Sequence, residues 1–275
     1  MKRLPKGSRL VTAIGVSKDD KYVCACDAAE KITCHIFDVS AKGTAPIADV
    51  CINMKVVHLA WSPVDITKFA TAGKDHLAIC KFDGGKKVEM TKGSAKGKTE
   101  SQCSAAFIPD DKYATHIITG GSDGKVYHWI GKDCTKTYDN NKVSVHSVAA
   151  RKDDKAGGIV VLVGGNDKTI TTYKFDGTLT KLWSTAVDAA PRSLDLFNGQ
   201  ILMGLKNGSL VEMPWTADGK GVPNVIMTSH CDGEVWGLDY VDIGDGEYRI
   251  ITSADDNRIL AYDVKKHKAL AEGEV

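Results

Sequence analysis

Apolar and polar residues along this chain alternate in short runs that favour strands over helices. The clearest runs read FATAGKDHLAICKFD (Phe69 to Asp83), HIITGGSDGKVYHW (His116 to Trp129), VVLVGGNDKTITTYKFD (Val160 to Asp176) and RIITSADDNRILAYD (Arg249 to Asp263). Each has a small-residue strand, a turn containing Asp or Asn, and a second strand that ends on an aromatic residue, mostly followed by Asp. Weaker copies read YVCACDAAEKITCHIFD (Tyr22 to Asp38) and QILMGLKNGSLVEM (Gln200 to Met213). Another strand-like run precedes each copy: Leu10 to Val16, Val56 to Trp61, Gln102 to Phe107, Ser144 to Ala149, Arg192 to Leu196 and Val235 to Tyr240. No long apolar stripe with a helical period interrupts them, so very little helix is expected.

The turn residues Asp27, Asp75, Asp123, Asp167, Asn207 and Asp256 recur roughly every 40 to 49 residues. Strand-only units of about 40–45 residues are the signature of a WD40-type β-propeller. The expected fold is therefore all-β, with about six recognisable blades over residues 1–275. Each blade would run from an inner strand a through b and c to an outer strand d. Small residues such as Ala70-Thr71-Ala72-Gly73 and Thr119-Gly120-Gly121 fit inner strands crowded near a central channel. Gly-Ser-Asp-Gly (121–124) and Gly-Asn-Asp-Lys (165–168) have hairpin-turn composition. Two stretches read as surface loops: the Lys-rich residues 84–100 and the Gly/Pro-containing residues 214–224. The chain opens almost directly on an a strand and closes on LAEGEV, as the start of an outer strand would. Six blades closing through these ends and a part of a larger tandem array are both compatible with this, and the second is favoured.

Charge narrows the partners. Lys+Arg (36) and Asp+Glu (35) nearly cancel, so no global field draws the chain to nucleic acid or an anionic membrane. No run approaches the ~18 apolar residues of a membrane helix, and the basic N-terminus MKRLPKGSRL lacks the apolar core of a secretory signal. The eight cysteines show no disulfide-framework spacing and read as free thiols in a reducing compartment.

Several constellations invite chemistry. Gly93 to Thr99 has three residues between its glycines where a phosphate-binding loop needs four, and strand follows where a helix is needed. Cys24, Cys26, Cys34 and His35 suggest zinc, but Cys34 and His35 point to opposite faces of a strand, so no metal and no cofactor is expected. His230, Ser253 and Asp256 have the residue types of a catalytic trio. In WD-type blades the same types form a structural hydrogen-bond network toward the aromatic position of strand c, here Tyr262. Thr119, Asp123 and Trp129 are the corresponding network of the third unit, without an obvious His. No residue is assigned a catalytic role. Candidate partner-binding residues are Lys86, Lys87, Lys92, Lys96 and Lys98, with a second basic run at Lys265, Lys266, His267 and Lys268. Acidic protein segments suit such clusters through screened attraction, whereas no base-stacking aromatics are interleaved as a nucleic-acid site requires. Trp215 is either an interface anchor or packed under its own loop. Trp61 and Trp236, on a strands, are expected in the core or at the channel rim.

Ser229-His230-Cys231-Asp232-Gly233-Glu234-Val235-Trp236-Gly237-Leu238 resembles the G-H-x-D-E-x-W-G-L segment of echinoderm microtubule-associated protein-like (EMAP-like) proteins. Pro191-Arg192-Ser193-Leu194, followed by Ile201 to Gly208, is similar to another blade of that family, as is RLVTAIGVSKDDKYVCACDAAEKITCHIFD to a third, in the same order. Asp232-Gly233-Glu234 departs from the family's Asp-Glu, and Leu205 stands where Thr is common. The resemblance implies the first of two tandem propellers in a cytoplasmic, microtubule-associated scaffold, in some members at cilia or spindles. Its partners would be proteins, tubulin among them. The alternative is a WD-repeat adaptor for complexes unrelated to microtubules. A propeller hydrolase is disfavoured, because the carboxylates fall mainly in turns.

Overall fold

The computed structural model describes residues 3–8, 10–95, 99–140, 142–231, 235–244, 247–263 and 268–274. These form 24 strands in six four-stranded antiparallel sheets, with no α-helix among the described residues and one 3-10 turn at Asp111–Tyr113. Blade 1 is β1 (Val11–Val16), β2 (Tyr22–Asp27), β3 (Thr33–Asp38) and β4 (Ala48–Cys51). Blade 2 is β5 (Val56–Trp61), β6 (Lys68–Gly73), β7 (His76–Phe82) and β8 (Val88–Lys92). Blade 3 is β9 (Gln102–Phe107), β10 (His116–Gly121), β11 (Lys125–Ile130) and β12 (Asp133–Asp139). Blade 4 is β13 (Val145–Asp153), β14 (Gly158–Gly165), β15 (Thr169–Phe175) and β16 (Leu179–Ala186). Blade 5 is β17 (Pro191–Phe197), β18 (Gln200–Leu205), β19 (Ser209–Pro214) and β20 (Asn224–Thr228). Blade 6 is β21 (Val235–Gly244), β22 (Glu247–Ala254), β23 (Arg258–Asp263) and β24 (Lys268–Glu274). Within every blade the strands lie side by side in chain order, the meander of a propeller blade.

Side chains of a strand alternate between its two faces, and here both faces are buried. On β10, Ile117 enters the apolar core between blades 2 and 3, and Ile118 enters the core between blades 3 and 4. On β14, Val161 and Val163 face blade 3, while Val160 and Leu162 face blade 5. This explains the near-continuous apolar runs at these strands. Each fully buried large aliphatic side chain contributes about 1.5–3 kcal/mol. Cores of this kind lie between blades 1 and 2, 2 and 3, 3 and 4, and 4 and 5.

Inner strands are also stitched to one another by polar contacts. The Ala105 amide donates to His58 Nδ1 (3.3 Å), the Val148 amide to Ser104 Oγ (3.1 Å), and Ser147 Oγ to the Pro191 carbonyl (3.2 Å). Together β1, β5, β9, β13 and β17 surround a central cavity of about 280 Å³. Gly73 and Gly120 on the b strands have a different cause from channel crowding. A Cβ on Gly73 would lie 1.8 Å from the Lys55 carbonyl oxygen, and one on Gly120 would lie 2.3 Å from Val145 Cγ1. They are small because the incoming connection or the next blade's inner strand crosses directly over them.

Three further expectations change. Residues 84–100 are not one loop, since Val88–Lys92 pairs with β7 as the outer strand of blade 2. The connection near 214–224 is shortened, since Pro214 ends β19 and Asn224 begins β20. The thiols are not all free: Cys26 and Cys34 are direct partners across β2 and β3, point to the same face, and are joined in a disulfide. The register of the β2–β3 hairpin, and not the cysteine spacing, brings them together. Cys24, Cys51, Cys80, Cys103, Cys134 and Cys231 are free. Denatured, unreduced protein should therefore take up six alkyl groups by mass spectrometry, and all eight cysteines should react after reduction. Eight without reduction would remove the disulfide.

Candidate functional site

Five of the six b–c turns close on a side-chain oxygen of the turn residue. Asp27 Oδ1 accepts from the Thr33 amide (3.0 Å), Asp123 Oδ1 from Lys125 (3.2 Å), Asp167 Oδ1 from Thr169 (3.2 Å) and Asp256 Oδ1 from Arg258 (3.2 Å). Asn207 Oδ1 does the same for Ser209 (3.2 Å). A short side-chain oxygen that closes on a nearby backbone N–H is why Asp and Asn recur at these turns. Asp75 instead adopts a positive φ of 57° and pairs with Ser101, whose Oγ donates to its carboxylate at 3.1 Å.

Two blades extend this into a side-chain network. In blade 6, Asp256 accepts from His230 Nδ1 (2.9 and 3.1 Å), and His230 Nε2 lies 2.9 Å from Thr252 Oγ1. The strand hydroxyl is thus that of Thr252, not Ser253. Ser253 pairs with Gly237 on β21, and Gly237 leaves the room its hydroxyl fills. Tyr262 donates to the Thr228 carbonyl (3.4 Å). Burial works against the Asp256 charge, but the Cys231 amide, His230 and the Arg258 amide outweigh it and hold the carboxyl below its usual range. In blade 3, Trp129 Nε1 donates to Thr119 Oγ1 (2.8 Å), which donates in turn to Gln102 Oε1. Asp123 joins Tyr127 rather than this chain, accepting from its hydroxyl at 2.8 Å. Gln102 occupies the place expected of a His. Its signal in the sequence is a hydrogen-bonding residue at the first position of strand a. Both networks hold strands b and c together around buried polar atoms.

Blade 1 carries a cluster that strand patterning passed over. His35 contacts Asp49 through Nδ1 (2.5 Å) and the buried Asp27 through Nε2 (3.2 Å). Cys34 and Cys26 face away from it, toward blade 2, so the Cys/His set is divided between two faces.

The lysines do not form one patch. Lys86 and Lys87 flank the c–d turn of blade 2, and Lys92 ends β8 at its other end. Lys87 is paired with Glu89 (2.5 Å). Lys96, Lys98, Lys265, Lys266 and His267 lie outside the described residues. Trp215 is half-buried and packs on the core between blades 4 and 5. Trp61 is buried and lines the central cavity. Trp236, expected in the core or at the rim, is 71% exposed, with Nε1 donating to Asp255 at 2.6 Å.

A histidine pair lies between blades 3 and 4. His116 Nδ1 and His128 Nε2 are 2.9 Å apart, and both rings meet Phe175 edge-on. Burial, then the charges of His116 and Lys136, bring His128 down to about 4, and burial lowers His116 as well.

Comparison with known proteins adds two findings. Residues 91–129 match the family described as "WD domain, G-beta repeat". That segment runs from the end of β8 through β9, β10 and β11, so the sequence repeat joins the outer strand of one blade to the inner three of the next. Over 99% of its length the chain is also 35% identical to the "Ciliary WD repeat-containing protein ctxp80" of Euplotoides octocarinatus, of which it spans 36%. With the six meander sheets, these findings make the fold a WD40-type β-propeller of about six blades. Such propellers are in general interaction scaffolds rather than catalysts. No helix among the described residues is long and apolar enough to cross a membrane.

The histidine pair gives a pH dependence. An unfolded His128 binds a proton near pH 6.5, whereas the folded ring resists it until about 4. The unfolded state therefore binds more protons in this window, and stability falls as pH drops from 6.5 toward 4. Urea-denaturation midpoints measured across that range should decline, and less steeply in His128→Asn. An equal slope in that variant would exclude the pair as a source.

Proposed function

We propose that this chain is a non-catalytic scaffold of the EMAP-like type, which binds tubulin or another cytoskeletal protein through loops on a propeller face. The observation that carries this reading is the similarity, across nearly the whole chain, to a ciliary WD-repeat protein. The motif around Trp236 supports the family. The exposed Lys86 and Lys92 supply cations without carboxylate partners among the described residues, as binding to acidic tails requires. Their attraction would be screened over about 8 Å at physiological ionic strength. A cytoplasmic, cytoskeletal location, with the cilium as one site, follows from the same reading.

Microtubule co-sedimentation at low and physiological salt tests it. The intact chain should pellet with microtubules more strongly at low salt. The variant with Lys86, Lys87, Lys92, Lys96 and Lys98 changed to Gln should lose much of that binding. Absence of binding at either salt would favour an adaptor for complexes unrelated to microtubules.

A further inference from the structure

Blades 4 and 5 bring their b–c turns together over a cavity of about 370 Å³, lined by Asn166, Lys168, Ala189, Ala190, Lys206 and Asn207. Its floor is small and apolar, and its walls present two ammonium groups and two amides. Arg192 stands beside it, with Nη2 donating to Asn166 Oδ1 (3.5 Å). That bond engages the amide oxygen and leaves the Asn166 NH2 group to act as a donor. Lys168, Arg192 and Lys206 are all exposed, and none has a carboxylate within ion-pair distance among the described residues. Their backbones are fixed. The Lys168 carbonyl accepts from the Val187 amide (2.8 Å), and the Lys206 amide donates to the Ala190 carbonyl (2.9 Å).

Charge at the turns explains why cations accumulate here. In the other blades the turn residue is Asp, whose carboxylate pairs with Lys125 in blade 3 (3.4 Å) and with Arg258 in blade 6 (3.8 Å). Blade 5 keeps the turn with a neutral amide, Asn207, whose Oδ1 makes the same bond to the following backbone. Two carboxylates remain nearby. Asp167 is tied to Thr169, accepting from its amide (3.2 Å) and its hydroxyl (2.7 Å), and Asp188 is exposed beside Ala189. Three cations against these two leave an excess of positive charge. Arg192 and Lys206 act on His146 as well, and Arg192 acts on Cys103 against the Asp123 carboxylate. On the opposite face the comparable cations are neutralised, Lys152 by Asp110 (3.1 Å) and Lys68 by Asp65 (2.8 Å).

We propose that this groove between blades 4 and 5 is a docking site for an acidic peptide, whose side-chain carboxylates are held by Lys168, Arg192 and Lys206 and by the Asn166 amide. The proposal rests on the scaffold reading and gives it a second contact surface, separate from the lysines of blade 2. Exposed ion pairs contribute little singly, so several carboxylates spaced along one extended segment are needed. The binding is accordingly salt-sensitive.

The test uses a fluorescein-labelled oligoglutamate peptide and fluorescence anisotropy at low and physiological salt. The intact chain binds at low salt. The variant Lys168→Gln/Arg192→Gln/Lys206→Gln binds about tenfold more weakly, as the loss of three exposed charge contacts implies. Asn207→Asp weakens binding severalfold without removing any cation. It keeps the fold, because Asp makes the same turn in other blades, and an unchanged melting temperature checks this. Lys86→Gln/Lys87→Gln/Lys92→Gln leaves the affinity within about twofold. The site is overturned if the intact chain does not bind the peptide at low salt, or if the first two variants bind as the intact chain does. Co-sedimentation separates this site from the wider reading. Peptide binding without microtubule binding keeps the groove and removes tubulin. Microtubule binding together with unaltered peptide affinity in the triple variant keeps tubulin and removes the groove.

Discussion

The constraint on which the structure depends is the burial of each central sheet on both faces. A β10 or β14 taken alone exposes two apolar rows, and only blades on either side remove both from water. Stability is thus a property of neighbouring pairs. Trp129, Phe69, Leu162 and Ile201, all fully buried, each belong to a seam between two blades. The polar stitches among inner strands add direction to this packing, since His58, Ser104 and Ser147 fix the height at which one inner strand meets the next. The turns can then carry charge freely, because they contribute little to the seams.

That separation explains what the sequence made legible. Strand positions were readable because two-sided burial leaves runs such as VVLVGG, and the turns were readable because one Asp or Asn closes each. The inner strand Val56–Trp61 coincides with the expected run, as does Gln102–Phe107. Outer strands were less visible. Val88–Lys92 is only half-buried and alternates with Glu and Lys, so composition suggested a loop. The disulfide was hidden because it depends on the register of one hairpin, which puts Cys26 opposite Cys34.

Side-chain networks were legible by residue type and not by position. His230 and Asp256 do meet, but a one-residue step along a strand reverses the face, so Thr252 and not Ser253 completes the set. In blade 3, Gln102 meets the strand-b hydroxyl as His230 does in blade 6. The surface was hardest to read. Lysines adjacent in sequence, Lys86 to Lys92, are drawn apart by the strand between them. Lysines far apart, Lys168 and Lys206, are brought together by two turns of neighbouring blades. Function on a propeller lies in such cross-blade neighbours, which periodicity alone does not list.

The most direct test of the central claim is native-state hydrogen exchange, resolved by strand. If seams between blades hold the fold, amides of β10 and β14, flanked on both sides, should be the slowest to exchange. Those of β1, where Val11, Ile14 and Val16 stand exposed, should be far faster. Equal protection of β1 and β14 would contradict the account, because it would mean that each blade is stable by itself.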